Sequence, residues 1–92
     1  METHLEKSIR EVMNQPQVTG AMCVDSKGLC LISKGTADPA ASGYLSEISR
    51  CANHVASTNE DSPVTAIEFG KTQILIKRGD NVTTVIYKDK TK

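Results

Sequence analysis

Cys23, Cys30, Cys51 and His54 could together offer three thiolates and an imidazole, and four is the number of ligands a structural zinc ion takes. Cys51 and His54 stand three residues apart, on one face of a helix, and Cys23 and Cys30 would have to complete the set from elsewhere. The spacing matches no structural-zinc pattern, and no Cys-x-x-Cys pair occurs. An odd count of three cysteines, with no secretory leader in view, reads better as reduced thiols in or near a core. Gly70-Lys71-Thr72 ends like a phosphate-binding loop, but the first glycine of that motif would fall at Thr65. The triplet also runs into the strand-like Gln73-Ile74-Leu75-Ile76, whereas phosphate cradling needs a helix N-terminus. It reads as a hairpin turn. Asn81-Val82-Thr83 has the form of a glycosylation acceptor, yet the charged N-terminus Met1–Lys7 shows no route into the secretory pathway. His4 falls at an exposed helix start and His54 near a helix end, where a cation is mildly favoured. No Ser or Cys nucleophile can be set beside a His base and an orienting acid. The chemistry-bearing residues therefore nominate no catalytic, cofactor-binding or metal site.

Composition narrows the classes further. Ninety-two residues make one domain, 1–92, near the lower end of what supports its own core. Eleven Lys+Arg against eleven Asp+Glu give no net charge, which argues against a nucleic-acid binder that neutralises phosphates. An aromatic fraction of 3% leaves few stacking platforms for single strands. No segment approaches the roughly 20 apolar residues of a membrane span. Neither an N-terminal Met-Gly nor a C-terminal Cys box is present, so membrane association is expected only indirectly, through a partner.

The elements follow from periodicity. Thr3 with Glu6 forms a capping box ahead of Leu5, Ile9, Val12 and Met13, which predicts a helix ending near Asn14, before Pro16. Val18–Val24 and Leu29–Ile32 flank the turn-like Asp25-Ser26-Lys27-Gly28 and predict a hairpin. Its first strand carries Val18, Met22 and Val24 on one face and Ala21 and Cys23 on the other, so both faces should be covered. Gly20 suits close approach of a packed helix, or a bulge. Asp38-Pro39 predicts the start of a second helix, with Ala41, Leu45, Ile48, Ala52 and Val55 as its apolar stripe and the polar 57–63 stretch as its end. Val64–Phe69, Thr72–Arg78 and Val82–Lys88 predict three strands, turned by Gly70-Lys71 and Gly79-Asp80-Asn81. The order α-β-β-α-β-β-β implies an α+β fold (α/β in the broad sense), a five-stranded antiparallel sheet with helices against it.

Two features look unfinished. Pro63, at the first residue of the third strand, marks an edge, and Val64-Thr65-Ala66-Ile67-Glu68-Phe69 offers Glu68 as its only charge. Tyr44 and Cys51 also widen the apolar stripe of the second helix beyond what one sheet needs. The plainer alternative is that Phe69 and Tyr44 are core residues under a loop.

Val18-x-Gly20-x4-Asp25-x2-Gly28-Leu29-x-Leu31 resembles the first hairpin of the roadblock (dynein light chain LC7) family. Met1-Glu2-x-x-Leu5-Glu6, the Leu31–Thr36 stretch closing on Lys34-Gly35-Thr36, Ile74-Leu75-Ile76-Lys77 and Val85-Ile86-Tyr87-Lys88 extend the likeness. Together they are similar to the short roadblock members of the Ragulator complex, colinearly over nearly the whole chain. Commoner roadblock proteins carry a further C-terminal helix. Here only the charged tail Lys88-Asp89-Lys90-Thr91-Lys92 follows Tyr87, so no third helix is expected. The resemblance implies a dimer interface on the second helix and third strand, at Tyr44, Ile48, Cys51, Val64, Thr65, Ala66, Ile67 and Phe69. Such an interface buries about 1,600 Å² in total. The resemblance further implies a non-catalytic scaffold subunit without cofactors. It would pair with a sibling roadblock subunit, or with itself in isolation, and be wrapped by a lipid-anchored Ragulator scaffold subunit. On the cytosolic face of late endosomes and lysosomes, that assembly would hold Rag GTPases for amino-acid signalling to the mTOR kinase complex. The alternatives are a dynein-associated light chain, another adaptor regulating small GTPases, or a nucleotide- or small-molecule-handling domain.

Overall fold

The computed structural model describes residues 3–56 and 63–91, so Met1, Glu2, Lys92 and the polar 57–62 stretch expected to end the second helix lie outside the described residues. Helix α1, His4–Met13, starts where its cap predicts: Thr3 Oγ1 accepts from the Glu6 amide at 3.1 Å, satisfying an otherwise orphaned helix donor. Strands β1 (Val18–Asp25) and β2 (Cys30–Gly35) form the hairpin. Asp25 Oδ1 pins its turn by accepting from the amides of Lys27 (2.8 Å) and Leu29 (2.9 Å).

Asp38 caps as expected, but it caps a 3₁₀ turn, Pro39–Ala41, rather than the long helix. Its Oδ1 accepts from Ala40 N, and helix α2 then runs Ser42–Ala56. Strands β3 (Val64–Phe69), β4 (Thr72–Arg78) and β5 (Val82–Asp89) close the chain. Pro63 stands just before β3 rather than within it. β5 continues through Lys88 and Asp89, so the first two residues of the expected charged tail belong to the sheet. Asp89 Oδ1 then accepts from the amide and hydroxyl of Thr91, closing the end.

The sheet has five antiparallel strands in the order β2-β1-β5-β4-β3, which leaves β2 and β3 as its edges. α1 lies over β1 and β2, and α2 lies over β4 and β3. Two packed clusters show that the helices take opposite faces. Met22, Val24, Leu45, Ile74, Ile76 and Val85 gather on the α2 side, and Ile9, Ala21 and Cys23 with Leu5, Val12 and Met13 on the other. β1 is thus buried on both faces, as its uninterrupted apolar run requires. Gly20 sits at a register shift between β1 and β5, so the bulge reading holds. What approaches it is backbone rather than a helix: a Cβ there would lie 2.5 Å from the Ala37 amide nitrogen and 2.7 Å from that of Thr36.

Candidate partner interface

Helix α2 is where sequence and structure part. The face against the sheet is made by Ser42, Leu45 and Ser49, with Ser49 only 1% exposed. Small side chains let the helix lie close, and the Ser42 hydroxyl donates to Gly28 O at 2.9 Å, tying the helix start to the β1–β2 turn. Of the expected apolar stripe, Leu45 faces the sheet, whereas Val55 and Ile48, the latter also expected at the partner interface, stand outward. Ile48 is 39% exposed and Val55 83% exposed, while Ser42, Leu45 and Ser49 take the inward positions. Tyr44, Ile48, Cys51 and Val55 recur instead at helical spacing on the outer face. The exposure of Cys51 also corrects its placement in or near the core.

β3, the open edge of the sheet, is one of the two strands that α2 covers. Its register with β4 is regular from Val64↔Lys77 to Phe69↔Thr72, with no bulge to twist it away. Alternation divides its side chains. Ile67 packs with the α2-side core, so Thr65, Ile67 and Phe69 share the α2 side, and Phe69 is 56% exposed there. Val64 and Ala66 point to the other face, away from Tyr44, Ile48 and Cys51, and reach the same edge only through their backbone. Of the eight interface residues named from sequence, Tyr44, Ile48 and Cys51 thus stand on the outer side of α2 and the other five on the two faces of the edge strand β3. Tyr44 and Phe69 are too open to be core residues under a loop.

The electrostatics around this surface are modest. Arg50 donates to Glu47 on the outer turn of α2, and that hydrogen bond holds the Glu47 carboxyl below its ordinary range. On β3, Lys90 Nζ lies 3.1 Å from Glu68 Oε1 and lowers that carboxyl as well, with Gln73 donating to its other oxygen at 2.9 Å. The one charge on the border is thereby tied back to its own sheet. Among the described residues, two buried side-chain oxygens, Asn53 Oδ1 on α2 and Thr65 Oγ1 on β3, are shut off from solvent without a hydrogen-bond partner. Each such group costs about 1–3 kcal/mol.

A second surface was not foreseen. α1 covers only the β1–β2 side of its face, so a shallow apolar trough of about 530 Å³ lies over β5, β4 and β3. Leu75, Ile86, Val82 and Thr84 form its floor, with Val64 at the β3 side. The signal was present in Ile74-Leu75-Ile76 and Val85-Ile86, where consecutive apolar residues must face both sides of the sheet. The thiols and imidazole first considered as zinc ligands do not converge. Cys23 is buried under α1, where burial first and the neighbouring Cys30 second raise its thiol pKa, while Cys51 and His54 stand in solvent on α2. Gly70-Lys71 forms the β3–β4 turn, with Gly70 at φ +56.

Comparison with known proteins matches this arrangement at two levels. The family profile of Ragulator complex protein LAMTOR5 matches residues 1–88. A LAMTOR5 homolog from Nematostella vectensis is 38% identical over 88 residues, covering 96% of this chain and 97% of that relative. Among solved structures, Myxococcus xanthus MglB superposes with a TM-score of 0.77 at 16% identity, covering 100% of this chain and 77% of the other. A roadblock/LC7 domain from Streptomyces avermitilis gives 0.69 at 13% identity, covering 96% and 80%. At those identities the structural neighbours establish the fold alone.

Proposed function

Because the chain belongs to the LAMTOR5 family of Ragulator complex proteins, we propose that it is a non-catalytic scaffold subunit which pairs with a sibling roadblock chain. The observations that carry this reading are the outer stripe Tyr44-Ile48-Cys51-Val55 on α2 and the open edge of β3, a strand that α2 covers. A second chain of the same fold meets both at once. Its edge strand supplies the hydrogen bonds that β3 leaves unmade, and its helix buries the stripe.

The trough over β4 and β5 gives the lipid-anchored scaffold subunit a place to dock, since an apolar helix laid beside α1 would cover it. Placement on the cytosolic face of late endosomes and lysosomes then comes from that subunit. No described helix is long and apolar enough to cross a membrane. In this reading the chain holds Rag GTPases through the assembled complex for amino-acid signalling to the mTOR kinase complex, contributing surface and geometry rather than chemistry.

Affinity purification of the tagged full-length chain from its native cells tests the proposal. Recovery of the lipid-anchored subunit and Rag GTPases is expected. Recovery of dynein intermediate chain instead would move the assignment to a dynein light chain, and nucleotide hydrolysis or micromolar nucleotide binding by the purified chain would end the scaffold reading.

A further inference from the structure

The β3–β4 turn fixes which backbone groups the open edge can offer. Phe69 faces Thr72 across only two residues, Gly70 and Lys71, so the hairpin closes on a pair that exchanges both of its hydrogen bonds. Such pairs alternate along an antiparallel ladder, and the register runs without a break to Val64↔Lys77. Phe69, Ile67 and Thr65 therefore direct their N–H and C=O groups to β4. Glu68, Ala66 and Val64 turn theirs outward, away from the sheet. The edge thus presents three donors and three acceptors, and the Gly70 turn ends the row. The one charged side chain does not guard them, because Gln73 and Lys90 hold the Glu68 carboxylate back over its own sheet.

We infer that a sibling strand joins β3 antiparallel in the register centred on Ala66, through the backbone of Val64, Ala66 and Glu68. The inference rests on the proposed pairing and specifies it. For the sibling's helix to bury the α2 stripe, both helices must lie on one side of the joined sheet. The pseudo-two-fold axis then stands normal to the sheet, and edge strands related by such an axis run antiparallel. A sibling strand of equal length uses all six groups only where its counterpart of Ala66 faces Ala66. Sliding it by two residues leaves one of the three pairs without a partner. Sliding it by one sets each outward residue against one already bonded to its own sheet.

Proline substitutions separate the outward row from the inward one. Ala66→Pro deletes the central outward N–H and puts a ring in its place, leaving the bonds to β4 intact. Its Tm in the isolated chain should stay within about 4 °C of the original, while calorimetry should show affinity for the sibling roadblock subunit weakened at least about 100-fold. Thr65→Pro removes a bond to β4 instead and should lower the Tm by about 8 °C or more. Residue-resolved amide exchange reads the register in the unsubstituted chain. The amides of Val64, Ala66 and Glu68 should slow at least about 100-fold on binding, while those of Thr65, Ile67 and Phe69 are protected in both states. Equal destabilisation by the two prolines, unchanged affinity of Ala66→Pro, or protection of fewer than all three outward amides overturns the inference and leaves the pairing standing. Failure of the unsubstituted chain to bind its sibling overturns both.

Discussion

The two edges of this sheet are built from the same materials and finished differently. The pairing of β2 with β1 is broken by a register shift at Cys23/Val24, and β2 ends on Gly35 at φ +62. It carries Lys34, and α1 leans over it. Each of these features discourages a further strand. β3 has a regular register, one charge that is already engaged, and an apolar helix face alongside. The β2 side has exposed apolar residues too, Leu31 in the strand and Leu29 just before it, but no flanking helix stripe continues them. Exposure of apolar side chains alone does not mark a docking surface. A straight open edge combined with an aligned helix face does.

Substitutions can break this contrast, and the largest effect belongs to the β3 side. Ile67→Asp combined with Tyr44→Asp places a charge on each half of the proposed surface, and affinity for the sibling should weaken at least about 100-fold by calorimetry. On the β2 side, Gly35→Ala sets a Cβ 2.1 Å from Thr19 O in a left-handed conformation. Denaturant titration should show it to destabilise the isolated chain by about 1–3 kcal/mol, and its folded fraction should still bind the sibling with unchanged affinity. The smallest effect is electrostatic. The Lys90 hydrogen bond lowers the folded-state pKa of Glu68, so its contribution is present above the ordinary glutamate value of about 4.3 and fades as acid titrates the folded carboxyl. Glu68 is exposed, so the slope is shallow and salt-screened. Glu68→Gln should flatten the acid limb of a stability profile taken at low ionic strength.

Much of the fold was legible because local rules were obeyed. Thr3, Asp25, Asp38 and Gly70 stop and start elements where their backbone chemistry demands, and β3 and β4 have the predicted ends. Strand order was not legible, since the pairing of β1 with β5 joins residues far apart in sequence. The face of α2 was misread for a physical reason. Apolar periodicity locates a greasy stripe, but it does not say whether that stripe meets its own sheet or another chain. Here Ser42 and Ser49 take the inside, and Ile48 and Val55 are left outside. The trough was hidden in the same way, because Leu75 and Ile86 are obvious hydrophobic residues whose exposure depends on where α1 stops.

Amide hydrogen exchange, read strand by strand with and without the sibling roadblock subunit, tests the contrast between the edges most directly. Backbone amides of β3 and of the outer turns of α2 should slow on binding, while those of β2 stay as they are. Protection that appears along β2 and leaves β3 unchanged would contradict the account.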